Sequence, residues 1–391
     1  MGRRRRRTAR VAVPHRRPLR IEPLEDRRLL AVATVTTLDD TIDFTDGVTS
    51  LREAIFATNT VAGADTIEFA ASLTAGGLAT MLLAQGELVI TDALLINGPG
   101  ANLLTIDAQQ QSRIFSITAT TGDFTIVGLT LTHGHATGNN EFGGAIYSAT
   151  AGMLTLDHMT VSANEGFGQG GGIYAASHAM IVDSSIVGNS SGRGGGVFAG
   201  ALTLTRSTIT GNNAMLGGDG AFALSSIAAS QSTIDGNLGI GLYSLGQITL
   251  TDCTVSGNDD IGVFTRGEVS VSGGAVLANG GRGISAYGNV NVTGATVSGN
   301  INSVPYIAGP FRDAGGVYSR LDITIANSTV SSNTSTWGNG GGVHGRTVTI
   351  SGSTISDNTA LGTGAGGGGV YASLLSEGVF ETLSHFSAAC W

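Results

Sequence analysis

The sequence predicts an all-β chain: a right-handed parallel β-helix, a single-chain solenoid with three short strands per coil and a short capping helix at its N-terminal end. Three observations predict it. An Asn returns at positions 164, 189, 212, 237, 258, 279, 300, 333 and 358, spacings of 25, 23, 25, 21, 21, 21, 33 and 25, and self-similarity at such a period is the mark of stacked repeats. The residue three before each Asn is β-branched every time: Val161, Ile186, Ile209, Ile234, Val255, Val276, Val297, Val330 and Ile355. The composition agrees, because 41% hydrophobic residues with only 6% aromatic ones leave Val, Ile, Leu and Ala to fill a narrow, layered interior.

Two further apolar columns precede the Asn. Ten before it stand Leu154, Ala179, Leu202, Ile227, Ile248, Val269, Val290, Ile323 and Val348, and eight before it Leu156, Ile181, Leu204, Ala229, Leu250, Val271, Val292, Ile325 and Ile350. A strand's side chains alternate with period two, so inward residues at ten, eight and three before the Asn require a corner between eight and three. Small residues five before it (Ser184, Ser207, Ser232, Cys253, Gly274, Ala295, Ser328, Ser353) suit a crowded bend. After the Asn, a Gly-rich turn leads into a third strand in Gly143-Gly-Ala-Ile-Tyr147, Gly171-Gly-Ile-Tyr174, Gly195-Gly-Val-Phe198, Gly315-Gly-Val-Tyr318, Gly341-Gly-Val-His344 and Gly368-Gly-Val-Tyr371. The Asn itself is read as taking the left-handed backbone region at the corner and bonding to its counterpart one coil away, with Gly188, Gly211, Gly236, Gly257 and Gly299 easing the turn. A dozen coils at about 4.8 Å each would make a rod roughly 60 Å long.

Charge divides the chain. Residues 1–30 carry +8, from 11 Arg against three acids, and residues 31–391 carry −17. There is no Lys. An acidic body is unsuited to nucleic-acid phosphates, so no nucleic-acid partner is expected. Residues 1–31 read as a basic, disordered targeting leader rather than an ordinary signal peptide, because charge interrupts the apolar stretch every few residues. No run reaches the length of a membrane helix. Residues 32–75 read as an N-terminal cap, with Ser50 and Glu53 forming a capping box before a helix over 51–58 whose apolar stripe is Leu51, Ala54 and Ile55. Residues 76–373 form the β-helix, and 374–391 are an out-of-register tail. Cys253 is read as a small buried residue and Cys390 lies in the tail, so no disulfide is expected.

Several segments carry family resemblances. Glu22-Pro23-Leu24-Glu25-Asp26-Arg27-Arg28-Leu29-Leu30 resembles the LEPR-type leader of large bacterial surface proteins, which implies export. Thr49-Ser50-Leu51-Arg52-Glu53-Ala54-Ile55 with Gly63-Ala64-Asp65-Thr66-Ile67 resembles the CSLREAI-type domain that precedes β-helical repeats in bacterial extracellular proteins, with Thr49 in place of its Cys. The coils that join Gly-Gly strands to Asn-terminated strands resemble the repeats of polymorphic outer-membrane proteins and autotransporter passengers, which implies adhesion at a bacterial surface. The membrane β-barrel of those proteins is not seen here, so the chain reads as a short or truncated version.

Candidate chemistry is sparse. The column six before the Asn holds Asp183, Arg206, Gln231 and Asp252, so Asp183 and Arg206 should be neighbours about 5 Å apart. Were the chain a polysaccharide lyase or glycoside hydrolase, Asp183, Arg206 and Asp252 would be its candidates, but carboxylates three coils apart exceed the roughly 6.5–9.5 Å of an inverting pair. A surface ion pair is the alternative. Insertions after Asn140 and Asn300, through Pro305 and Pro310, could wall a cleft. His133 and His135 point to one face of a strand with His158 a coil later, without an acid or Cys at fixed spacing, so no metal is expected. Gly217-Gly218-Asp219-Gly220 does not recur every nine residues as a calcium β-roll must. An outward column of Thr160, Ser185, Thr208, Thr233, Thr254, Thr296, Thr329 and Thr354 raises ice binding as a minor reading, against which stands the variation in coil length. The function expected is a non-catalytic, secreted or cell-surface β-helix at the outer membrane, adhesin-like, binding polysaccharide or cell-envelope components. It needs no cofactor and acts as a monomer.

Overall fold

A computed structural model describes residues 32–60, 63–136, 142–303, 314–362 and 366–374. The leader over 1–31, most of the tail, Cys390 and the insertion residues Asn140, Pro305 and Pro310 lie outside the described residues.

Among the described residues every strand pairs in parallel with its equivalent one coil away. The strand that ends two residues before the Asn builds a 12-stranded sheet, from Ala79–Leu82 to Thr354–Ser356. Its register runs through Val161, Ile186, Ile209, Ile234, Val255, Val276, Val297, Val330 and Ile355 without a slip. These residues are at most 1% exposed, so the column read from the sequence is the core. The Gly-Gly strand and the strand carrying the columns at ten and eight before the Asn form the other two faces. In three consecutive coils these two faces run together, as Ile173–Val182, Val197–Thr205 and Ala221–Ser230, with a bulge where the strand bends. A short fourth pairing follows the Asn in some coils, as in Ser190–Arg193 and Thr334–Ser335.

The corners depart from the expected backbone. The left-handed residue is not the Asn but the one before it: Ala163, Gly188, Gly211, Gly236, Gly257, Ala278, Gly299, Ser332 and Asp357 have φ between 49° and 68°. The Asn has a different task. The Oδ1 of Asn212 accepts the Asn189 backbone N–H at 2.9 Å and the Asn189 Nδ2 at 3.0 Å, while the Asn212 Nδ2 donates to the Ile186 carbonyl at 3.0 Å and to the Asn237 Oδ1 at 3.0 Å. The same pattern links Asn164 to Asn358 through every intervening Asn. Each buried amide thereby satisfies itself and a backbone N–H that the corner would strand. A second left-handed corner falls six before the Asn, at His158, Asp183, Arg206, Gln231, Asp252, Gly273, Gly294, Asn327 and Gly352. There the small residue next along the chain supplies a shorter ladder: the Ser184, Ser207 and Ser232 hydroxyls accept backbone N–H groups of Met159, Ser184 and Ser207 at 3.0–3.2 Å. Cys253 continues that column, 2% exposed, and burial pushes its thiol pKa up.

The helix spans Leu51–Thr60, two residues further than expected, and its capping box forms. Glu53 N–H donates to Ser50 Oγ at 3.1 Å and Ser50 N–H to Glu53 Oε2 at 2.8 Å. Leu51, Ala54 and Ile55 are buried against strands Val32–Val35, Asp65–Phe69 and Leu88–Ile90, so the helix closes the end of the core. Arg52 and Asp40 tie it down. Arg52 Nε and Nη2 donate to the two Asp40 oxygens at 2.7 and 3.0 Å, and Arg52 also reaches the carbonyls of Gly86 and Glu87. Burial alone would raise the Asp40 pKa, but Arg52 and the amides of Gln85 and Ala84 outweigh it and hold the carboxyl below its ordinary value.

Two predictions follow from these contacts. Asn212→Ala leaves the Asn189 amide without its acceptor and takes a side-chain donor from the Ile186 carbonyl in a dry corner, so urea denaturation followed by circular dichroism should show a loss of about 3 kcal/mol. Because the folded Asp40 pKa is depressed, its contribution is complete above the unfolded value of about 3.9 and disappears as pH falls through the folded one. Thermal melts from pH 6 downward should therefore show the wild-type chain losing stability in that acid window, with Asp40→Asn already lower at pH 6 and flatter below it.

Candidate functional site

The candidates named from the sequence come together only in part. Asp183 and Arg206 are neighbours in a bidentate ion pair, with Arg206 Nε to Asp183 Oδ1 at 2.7 Å and Nη2 to Oδ2 at 2.6 Å. That guanidinium holds the Asp183 carboxyl below its ordinary pKa. Asp252 stands two coils beyond Arg206, in the same corner column and exposed. Asp157, His158 and Asp183 bring three potential ligand atoms within 4.8 Å of one another, but both Asp183 oxygens are committed to Arg206 and His158 Nδ1 lies 2.6 Å from Asp157. The arrangement is a surface cluster built around the Asp183–Arg206 ion pair.

The other histidines differ from expectation. His133 takes a left-handed corner (φ 51°) while His135 begins the short strand His135–Ala136, so they do not share a strand face. Each has an acid that spacing did not reveal, Asp107 at 3.0 Å from His133 and Glu165 at 3.3 Å from His135, because both partners sit in adjacent coils. Asp219 of the Gly-Gly-Asp-Gly segment is 3% exposed and accepts the N–H groups of Ala214 and Ile240, each at 2.7 Å. It clips its own turn to the next coil, and burial keeps its pKa above the ordinary value. Register in the Thr column is unbroken, since the variation in coil length is taken up outside that sheet.

The residues that build a surface feature lie in the Gly-Gly strand. In the Gly-Gly strand the residue after the inward Val or Ile points outward, and the register stacks Ser116, Tyr147, Tyr174, Phe198, Phe222, Tyr243, Phe264, Ser285, Tyr318, His344 and Tyr371 in one line. From Tyr147 to Tyr243 the rings lie face to face, with centroids 4.6–5.5 Å apart and planes within 17°. The line is broken by Ser twice. At both breaks an Arg three residues earlier fills the place: Arg113 lies 5.0 Å over the Tyr147 ring and Arg282 lies 5.2 Å over the Tyr318 ring, with Arg282 Nη1 donating to Ser285 Oγ at 2.9 Å. Cation–π contact thus continues the stack where a ring is missing.

Beside this stripe lies a groove of about 300 Å³, lined by Phe198, Phe222 and Tyr243 along the stripe, by Leu216, Leu224 and Leu245, and by Gln169, Arg193 and Arg266. Gly194 (φ 64°) sets the turn that brings the Arg193 margin onto the strand, and a Cβ on the next residue, Gly195, would run into the Asn213 carbonyl of the following coil. Leu216 and Leu224 are 66% and 48% exposed and form an apolar rim. A signal for this site was present in the Gly-Gly-Val-aromatic motif. What it lacked was any indication that rings from successive coils would meet.

Residues 144–311 match the family model described as right-handed β-helix region, and residues 15–33 match the one described as planctomycete extracellular. The first supports a right-handed β-helix repeat protein and the second an extracellular or cell-surface location. No curated protein matches the sequence. Among solved structures, the A-module of a mannuronan C-5 epimerase from Azotobacter vinelandii is similar at 17% identity and a TM-score of 0.45, covering 80% of this chain and 96% of that one. The surface adhesin PfbA of Streptococcus pneumoniae is similar at 11% identity and a TM-score of 0.46, covering 90% and 93%. No helix among the described residues is long and apolar enough to cross a membrane.

If Asp183 and Arg206 are a solvated ion pair and nothing more, Asp183→Asn and Arg206→Gln should leave the unfolding midpoint and every binding or turnover signal of the chain unchanged. A variant that abolishes such a signal while remaining folded would return this corner to consideration as a site.

Proposed function

We propose that the chain is a non-catalytic, secreted or cell-surface β-helix, adhesin-like in role, that binds polysaccharide or another cell-envelope component along its aromatic face. The observation that carries this reading is the groove, whose exposed Leu216 and Leu224 side chains and half-buried Tyr243 ring can pack against the apolar parts of a sugar while Gln169, Arg193 and Arg266 meet its polar groups. Its volume suits one or two units of a longer chain, and the stripe continues beyond it in both directions. Attachment at an outer membrane is the finer part of the proposal. It draws on the resemblance of the coils to passenger repeats.

Turnover is the competing reading. Asp183 is held by Arg206, and Asp252 stands three coils from it, a placement that supports binding over acid–base cleavage of a glycosidic bond. The Thr column supports a minor ice-binding role through its unbroken register. Thermal hysteresis in solutions of the chain would establish that role, and freezing at the melting point would dismiss it.

A glycan array with the full chain, followed by a reducing-end assay on the polymers it retains, tests the main proposal. Binding without release of ends is expected, and Tyr243→Ala should weaken it about tenfold, the effect of losing one aromatic anchor. Unsaturated or reducing ends appearing with time would overturn the binding reading.

A further inference from the structure

We infer, resting on that binding reading, that the aromatic face selects a polyanionic glycan, one that carries carboxylates or sulfate esters along its chain, and that Arg193 and Arg266 are the residues that select it. Neutral sugars would suit the apolar parts of the groove. They would leave its charges unused.

The distribution of cations points to this class. Residues 31–391 carry −17, yet Arg113, Arg193, Arg266, Arg282, Arg320 and Arg346 all lie on or beside the aromatic stripe. Only Arg52, in the cap, and Arg206, at the opposite corner column, lie elsewhere among the described residues. An acidic body repels polyanions at long range, so the Arg on this face that no carboxylate neutralises set where such a chain can approach.

Several of these Arg are already occupied. Arg113 is paired with Glu87 at 2.6 Å and Arg346 with Asp322 at 2.9 Å. Arg282 and Arg320 lie over Tyr rings. Arg193 and Arg266 differ, for both are exposed, both line the groove, and neither has a carboxylate partner among the described residues. A guanidinium's planar fork matches a carboxylate or sulfate bidentately, which fixes the class of anion it favours.

The rings add to the same preference. An aromatic ring is negative on its faces and positive at its edge. From Tyr147 to Tyr243 the faces are turned against one another, and with Phe198 and Phe222 buried, what this stack shows solvent is the rim of the half-buried Tyr147, Tyr174 and Tyr243 rings. The edges of these Tyr rings attract anions rather than cations, and the Tyr147, Tyr174 and Tyr243 hydroxyls can donate to them. Arg193 belongs to the Phe198 coil and Arg266 to the Phe264 coil, three rungs apart, which is about 14 Å along the axis. One small anion cannot engage both. A chain with repeated charges can.

The test uses the full chain and three soluble polymers: polygalacturonate for carboxylates, dextran sulfate for sulfate esters, and uncharged dextran. Calorimetry at low and at physiological salt should show one or both polyanions bound, dextran not bound, and affinity falling as salt rises. Whichever polyanion binds more tightly identifies the anion. R193Q/R266Q should lower that affinity by about tenfold for each guanidinium while leaving the melting temperature unchanged, whereas R206Q, equally exposed but on another corner, should leave it intact. Dextran binding as tightly as the polyanions, or undiminished polyanion binding by R193Q/R266Q, would overturn the inference and leave the glycan-binding reading standing. Binding of none of the three, with the glycan array also silent, would overturn both.

Discussion

Each coil of this solenoid must turn a tight corner, and a tight corner strands backbone groups in a dry interior. The Asn ladder answers that problem. One buried amide accepts the backbone N–H and the Nδ2 of the Asn before it, and donates to a carbonyl of that coil and to the Asn after it. Such a group is satisfied only when the next coil places an Asn in the same spot, so each rung enforces the position of its neighbour. Coil length is free to vary from 21 to 33 residues because the corner, not the length, sets the register.

Once the register is enforced, like stacks on like over the whole rod. Inside, this produces the Val and Ile columns, where slender side chains repeat at about 4.8 Å. Outside, it turns one aromatic residue per coil into a continuous stack of rings. Ser116 and Ser285 would interrupt that stack, and each coil carries instead an Arg that reaches over the neighbouring ring. The face is therefore both a structural seam and a surface of definite electrostatic character. Its unpaired cations stand against an acidic body, and the proposed binding role rests on that contrast rather than on any constellation of acids and bases.

Much of the architecture was legible in the sequence because columns of a solenoid are local in a special sense: one coil predicts the next. The spacing of Asn164 to Asn358, the β-branched residue three before each, and the parity break that demands a corner all appear in the structure, as does the Ser50–Glu53 capping box. Asp183 and Arg206 were also correctly placed as neighbours, since their distance depends only on the repeat. The left-handed residue was assigned to the Asn, and it belongs to the residue before. Ala163, Ala278, Ser332 and Asp357 take that conformation without the Gly that would have announced it, because the ladder bonds next to them outweigh the steric cost of a Cβ there. His133 and His135 were separated from their acids in the same way, by partners that lie a coil away and have no fixed place in the repeat.

By itself, then, the sequence determined the solenoid, its corners and its cap, since each depends on residue type recurring at a period or on contacts within a few positions. The tertiary structure decided where the proposed binding surface is. Arg193, Leu216, Tyr243 and Arg266 come from four successive coils and from different strands and turns, and nothing in their spacing marks them as a set. They converge because turns of unequal length lean over one face of a rod held in strict register. A groove of that kind is a property of what the coils share in space, and it has no period to read.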